Sequence, residues 1–146
     1  MEIERKFTIK KVPDLSAFSF LKIEQAYLNI NPVVRIRRQN EEYYLTYKGK
    51  GMMAREEYNL PLNKESFYHL LDKVDGQIIK KTRYLIPFEN DTIELDVFEG
   101  SLKPLIIAEV EFKSERDAYE FTPPEWFDQD VTMDYRYHNS YLSKTE

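Results

Sequence analysis

The chain has 146 residues, enough for one domain (1–146) with a real core and too few for two independent ones. At 42% hydrophobic and 14% aromatic it is not a disordered chain, and its longest apolar runs, such as 105–108, fall far short of the roughly 20 residues of a membrane-spanning helix. Twenty-one basic against 26 acidic residues give a net charge of −5, which argues against bulk nucleic-acid binding, and the lack of cysteine removes disulfides, thiolate chemistry and cysteine-ligated zinc. Charges that begin at Glu2 leave no signal-peptide pattern, so the composition predicts a cytoplasmic protein with no membrane association.

Alternation and enrichment in Val, Ile, Tyr, Phe and Thr predict strands over 2–9, 23–29, 33–39, 42–48, 54–60, 77–87, 92–98 and 106–113. Short turns at 39–41, 48–51 and 89–91 join several of them. A short helix is expected over 14–20. Asn63 can cap a helix over 64–74, where Phe67, Leu70, Leu71 and Val74 share one face. Ser114 can cap a second over 115–120, which Pro123 and Pro124 then break. A last helix is expected around 137–144. Eight antiparallel strands with a few peripheral helices predict a closed β-barrel of the mainly β (α+β) class, since closure removes exposed edges.

The alternation has an unusual feature: one face of nearly every strand is charged. Glu2, Glu4 and Lys6 share a face of the first strand, Arg35 and Arg37 of the third. Lys48, then Arg55 with Glu57 and Asn59, then Lys81 with Arg83 follow. Glu94 with Asp96 and Glu109 with Glu111 complete the series. Such faces either sit in water around an apolar interior or line a polar lumen while the apolar faces pack outwards. Solvated faces ordinarily mix Ser, Thr, Asn, Gln and Lys with scattered signs, whereas these positions hold like-charged doublets. The inward set counts seven cations and seven carboxylates. Buried without partners they would cost several kcal/mol each. Like-charged doublets make sense when something of opposite sign lies between them. Carboxylates suit hard divalent cations, and Arg and Lys suit phosphate oxygens. Two divalent ions would bring the lumen to about +4, close to the opposite of a condensed triphosphate's charge.

The motifs resemble one family. Glu2-Ile3-Glu4-Arg5-Lys6 is similar to the E-x-E-x-K opening of the CYTH superfamily, the triphosphate tunnel metalloenzymes. The resemblance continues through VVRIRR (33–38), LTYKGKG (45–51), REEYNLPL (55–62), KKTRYLIP (80–87), IELDVFEG (93–100), IAEVEF (107–112) and DYRYHNSYLS (134–143). It implies an eight-stranded antiparallel tunnel with a charged lumen that binds a small-molecule triphosphate with Mg²⁺ or Mn²⁺, two ions per site, in a monomer or homodimer. The compact start resembles the small bacterial tripolyphosphatase-type members. The implied reaction is metal-dependent hydrolysis of inorganic triphosphate by in-line water. Alternatives are a thiamine- or nucleoside-triphosphatase, a class IV-type adenylate cyclase, or a polyphosphate-binding module without catalysis.

Under this resemblance Glu2, Glu4, Asp96, Glu109 and Glu111 are the metal ligands. Arg35, Arg37, Lys48, Arg55, Lys81 and Arg83 hold phosphoryl oxygens. Lys6 sits between metal and substrate, and Glu57 and Glu94 either orient basic side chains or serve the second ion. Asn59 stands where many members carry a third acidic residue, so it supplies no charged ligand. His69 and His138 lack a Ser or Cys partner and are expected at the surface or in packing. Lys48-Gly49-Lys50-Gly51 lacks the spacing of a phosphate loop and reads as a hairpin turn. Trp126 is expected to anchor apolar packing, Tyr27 or Tyr44 to reach substrate, and Asp134, Arg136 and Asn139 to lie in a C-terminal plug.

Overall fold

The computed structural model describes residues 1–144; the last two positions of the expected domain lie outside the described residues. Ten strands form: β1 (Glu2–Ile9), β2 (Ser19–Asn29), β3 (Val33–Gln39), β4 (Glu42–Lys48), β5 (Ala54–Arg55), β6 (Glu57–Leu62), β7 (Asp75–Phe88), β8 (Asp91–Phe98), β9 (Ile106–Glu111) and β10 (Phe127–Asp130). Helices are α1 (Lys64–Leu71), α2 (Glu115–Glu120) and α3 (Asn139–Leu142), with single 3-10 turns at Gly100–Leu102 and Tyr135–Tyr137.

All strand pairs are antiparallel, in the order β10-β1-β9-β8-β7-β2-β3-β4-β6. The expected strand over 54–60 is divided at Glu56. Its first part, β5, pairs with β1 through Glu2↔Arg55 and Ile3↔Ala54, and its second part, β6, pairs with β4. One segment therefore bridges the two ends of the sheet and nearly closes an eight-sided barrel. β10 is an addition that the sequence pattern did not reveal. It covers the rest of the same β1 edge through Phe7↔Asp130 and Ile9↔Phe127. Its sequence, FDQD, is too short and too polar to show an alternating signal.

The helices follow their caps. The Asn63 side chain accepts the Ser66 N–H at 2.7 Å, and the Ser114 hydroxyl accepts the Asp117 N–H at 3.1 Å. α1 ends at Leu71 rather than 74, because β7 begins at Asp75 and runs 14 residues. Gly76 takes a φ of 72°, and a Cβ there would lie 2.3 Å from the Ser143 carbonyl oxygen, so only glycine lets the C-terminal segment cross β7. No helix forms over 14–20. Asp14 accepts the Ser16 N–H in a local turn, and Ser19 is already paired with Leu85 of β7. The helix expected around 137–144 is reduced to the four residues of α3, preceded by the 3-10 turn.

The apolar faces point outwards and are covered there. Ile3, Phe7, Leu95, Ala108 and Val110 pack with Ala118 of α2 and with Phe127, and Ile36 and Tyr43 pack under Phe67 of α1. Full burial of each large side chain contributes roughly 1.5–3 kcal/mol. Arg5, on this outer face, donates to the Ala118 and Phe121 carbonyls at the end of α2 and to Asp130, tying α2 and β10 to β1. A third cluster has a different place. Tyr27, Val33, Ile79, Phe98 and Ile107 are inward-parity neighbours of the charged positions, and Leu142 of α3 packs among them. The lumen is thus charged for most of its length and apolar at the end that α3 covers.

Candidate active site

The inward faces converge on one cavity of about 200 Å³. β1 supplies Glu2, Glu4 and Lys6; β3 supplies Arg35, Arg37 and Gln39. Lys48, Arg55, Glu57 and Asn59 come from β4 to β6, and Arg83, Glu94, Glu109 and Glu111 from β7 to β9. Tyr27, Val33 and the C-terminal residues His138, Asn139 and Ser140 complete the wall. Twelve of the fourteen charged residues expected in the lumen therefore line one space. Lys81 and Asp96 do not; both share the inward faces but are wholly buried.

Most of these charges are paired. Lys6 Nζ lies 2.7 Å from Glu109 and 3.4 Å from Glu4. Burial works against its charge, but the Glu109 and Glu4 carboxylates outweigh this and hold the ammonium above its ordinary range. Lys48 Nζ lies 2.9 Å from Glu2 and 3.3 Å from Glu57. Arg83 is the hub. Its Nε and Nη2 meet the two oxygens of Asp96 at 2.7 and 2.9 Å, Nη2 reaches Glu109 at 2.9 Å, and Nη1 reaches Glu94 at 3.2 Å. Lys81 Nζ takes an Asp96 oxygen at 2.6 Å and reaches Asn139 Oδ1 at 3.4 Å. Burial brings Lys81 down to about 7 in spite of Asp96, with Arg83 adding to the fall.

Two poles remain uncompensated among the described residues. Arg35 and Arg37 form no ion pair. Arg35 donates to the Thr46 hydroxyl at 3.2 Å while its buried Nε has no partner. Arg37 is held by the Gln25 side-chain carbonyl at 2.9 and 2.6 Å. Burial and the adjacent Arg35 and Arg83 push its guanidinium down to about 9. On the other side, Glu111 has no ion pair, and burial with the Glu2, Glu57, Glu94 and Glu4 carboxylates pushes it up to about 7. The lumen thus presents an unmet cationic pole and an unmet acidic pole to one space.

Whether the carboxylates fit divalent cations follows from their positions. Among the described residues no three carboxylates or histidines stand ready-grouped around one point, since most are turned to Lys or Arg partners. Glu2, Glu4, Glu109 and Glu111 nevertheless line one cavity with oxygen donors only, the set that Mg²⁺ and Mn²⁺ take. Asp96 fits less well, because both its oxygens are held by Arg83 and Lys81.

Other residues fall as follows. Asn59 faces inwards and accepts the Thr46 hydroxyl at 2.6 Å. Tyr27 reaches the cavity, whereas Tyr44 stays outside it and bonds Glu42. His69 is exposed on α1, Trp126 packs on Phe127, and Asp134 and Arg136 pair with each other at 2.7 Å. His138, expected at the surface or in packing, lines the cavity with Nε2 2.9 Å from the Thr132 carbonyl. No spacing rule marks it, because only the fold-back of the chain after β10 brings it there.

An antiparallel barrel whose inner rather than outer face carries the charge defines a β-tunnel protein. The chain belongs to the CYTH domain family, which matches residues 1–145. It is 40% identical over 147 residues to an inorganic triphosphatase of Nitrosomonas europaea, covering 97% of this chain and 96% of that one. It is 36% identical over 150 residues to an inorganic triphosphatase of Acetivibrio thermocellus, covering 98% and 93%. The crystal structure of the inorganic triphosphatase NE1496 superposes with a TM-score of 0.74 at 37% identity, covering 100% of this chain and 96% of that one.

Proposed function

We propose that this protein is a cytoplasmic hydrolase of inorganic triphosphate that depends on Mg²⁺ or Mn²⁺. The observation that carries the reading is the pair of uncompensated poles in one lumen, Arg35 with Arg37 on one side and Glu111 on the other. The two relatives named as inorganic triphosphatases support it. Glu2, Glu4, Glu109 and Glu111 would hold the divalent ions. Such ions, when bound, supply Lewis-acid polarisation of phosphoryl oxygens and lower the pKa of the attacking water.

The chain's own residues do the rest. Arg35, Arg37 and Arg55 take phosphoryl oxygens, and their charge stabilises the equatorial oxygens as the bond to the leaving phosphate lengthens. Lys6 is held by Glu109 and Glu4, close to where charge collects on the leaving group. Glu57 positions Lys48, and Glu94 positions Arg83. Asp96 serves as the buried counter-ion that sets Arg83 and Lys81. The apolar floor with Leu142 excludes water from that end of the lumen.

The test is incubation with tripolyphosphate, ATP and thiamine triphosphate under Mg²⁺, Mn²⁺ or chelator, measuring phosphate, pyrophosphate and cyclic nucleotide. Release of phosphate and pyrophosphate from tripolyphosphate, abolished by chelator, is the expected result. Preferred turnover of a nucleotide or of thiamine triphosphate would replace the substrate assignment. Tight triphosphate binding without turnover under either metal would make the protein a binding module.

A further inference from the structure

The seven inward cations fall into two groups. Five meet carboxylates: Lys6 with Glu109 and Glu4, Lys48 with Glu2 and Glu57, Arg55 with Glu2 at 3.7 Å, Lys81 with Asp96, and Arg83 with Asp96, Glu94 and Glu109. Among the described residues, Arg35 and Arg37 donate only to neutral oxygens. In each case the partner stands directly across the sheet, Gln25 of β2 opposite Arg37 and Thr46 of β4 opposite Arg35. Both partners are buried, at 0% and 1% exposure, and neither lines the cavity that the two arginines line.

Arg37 directs Nε and Nη2 at one atom of the Gln25 side chain, at 2.9 and 2.6 Å, and two converging donors fix that atom as the oxygen. The Gln25 amide nitrogen is then turned away, buried and without a hydrogen-bond partner among the described residues. A glutamate of the same length would accept both bonds, leave no donor unmet and cancel charge beside Arg35 and Arg37. Hydrogen-bond satisfaction alone therefore favours glutamate at this position. Thr46 repeats the arrangement. Its hydroxyl donates to Asn59 Oδ1 at 2.6 Å, which leaves its lone pairs to accept Arg35 Nη2 at 3.2 Å. Asn59 Nδ2 donates in turn to Glu57 at 3.3 Å. A carboxylate in place of Asn59 would set a negative charge one hydroxyl away from Arg35.

We propose that Gln25 and Thr46, with Asn59 orienting Thr46, are positioning residues that aim the Arg37 and Arg35 forks without neutralising them, so that both charges stay free for the phosphoryl oxygens of the substrate. This rests on the triphosphatase reading and adds how the cationic pole is kept unpaired. A buried hydrogen bond with no further role would be served as well by a carboxylate. Holding an arginine for an anion requires the partner to be neutral.

The experiment compares the unaltered protein with Gln25→Glu, Gln25→Met, Thr46→Val and Thr46→Ser, reading Tm, kcat and KM for tripolyphosphate, and the salt dependence of KM. Gln25→Glu is expected to hold or raise Tm, yet to raise KM on the order of 10-fold and make its salt dependence shallower, because one lumen charge is cancelled. Gln25→Met keeps the charge and loses the aim, so kcat is expected to fall on the order of 10-fold with the salt dependence retained. Thr46→Val is expected to lower kcat/KM to a similar degree, and Thr46→Ser to restore it. A purely structural glutamine would lower Tm in both Gln25 variants and leave the salt dependence alone. A lowered Tm or an unchanged KM in Gln25→Glu overturns the proposal for Gln25, and full activity in Thr46→Val overturns it for Thr46. If the unaltered protein turns over no tripolyphosphate, the triphosphatase reading fails. Calorimetric binding of tripolyphosphate to the same five proteins then decides the positioning role separately. Weaker binding by Gln25→Glu supports it, and equal binding, or none by any of them, overturns it.

Discussion

Glu4 of β1 lies directly opposite Glu111 of β9 in the antiparallel ladder, a like-charge pairing that sheets ordinarily avoid. Both carboxyls sit above the ordinary range. Burial and then Glu109 raise Glu4, while burial and then Glu2 and Glu57 bring Glu111 to about 7. The neighbouring positions Lys6 and Glu109 are opposite in sign and bonded. The ladder therefore changes from a satisfied pair to a frustrated one within two residues, at the place where the acidic pole faces the cavity.

A cation between Glu4 and Glu111 would relieve that frustration. Mg²⁺ is expected to raise the Tm of the unaltered protein by linkage, and to raise that of Glu111→Gln less. The same variant is expected to need more Mg²⁺ for half-maximal rate and to lose orders of magnitude in turnover. Near-normal turnover by Glu111→Gln would remove it from the metal site.

Arg37 lies at the cationic pole, bonded to neutral Gln25 and crowded by Arg35. Arg37→Ala is expected to lower kcat by about 10²–10³-fold, the scale of losing one preorganised donor. Far-UV circular dichroism should be unchanged, and the Tm gain caused by tripolyphosphate should shrink.

Arg83 holds together the ion pairs of the lumen. Replacing it with Met leaves Asp96 and Glu109 buried with fewer counter-charges. Breaking such a network costs about 3–5 kcal/mol, or roughly 10 °C in Tm for a chain of this size. Arg83→Lys keeps the charge but not the fork and should fall between the two. Thermal and urea unfolding check both variants.

Asp130 links the outer shell to pH. Burial would raise its carboxyl, but the Thr132 hydroxyl and amide and the Arg5 guanidinium outweigh that and lower it. An aspartate whose folded-state pKa is depressed stabilises the fold above its ordinary value of 3.8, and that stability is lost as the pH falls through the depressed value. Asp130→Asn should therefore lower Tm at neutral pH and flatten its decline in acid. An acid limb as steep as that of the unaltered protein would show that Asp130 contributes nothing to it.

Much of this was legible in the sequence, because a strand reports its two faces by parity alone. Glu2, Glu4, Arg35, Arg37, Glu109 and Glu111 needed only the period of two and the rule that like-charged doublets require an opposite charge between them. Asn63 and Ser114 could be read as caps for a similarly local reason: the bond they make reaches three residues along the chain.

What the chain by itself determined was the alternation, and with it a barrel turned inside out, charged within and apolar without. Tertiary structure alone decided who meets whom. Asp96 shares a face with Glu94, yet Lys81 and Arg83 of β7 take its oxygens and it is wholly buried, apart from the cavity lining. The break at Glu56, the place of β10 beside β1 and the arrival of His138 in the lumen all depend on contacts between residues dozens of positions apart. Parity is a property of one strand, whereas closure, burial and ion pairing are properties of the assembled sheet.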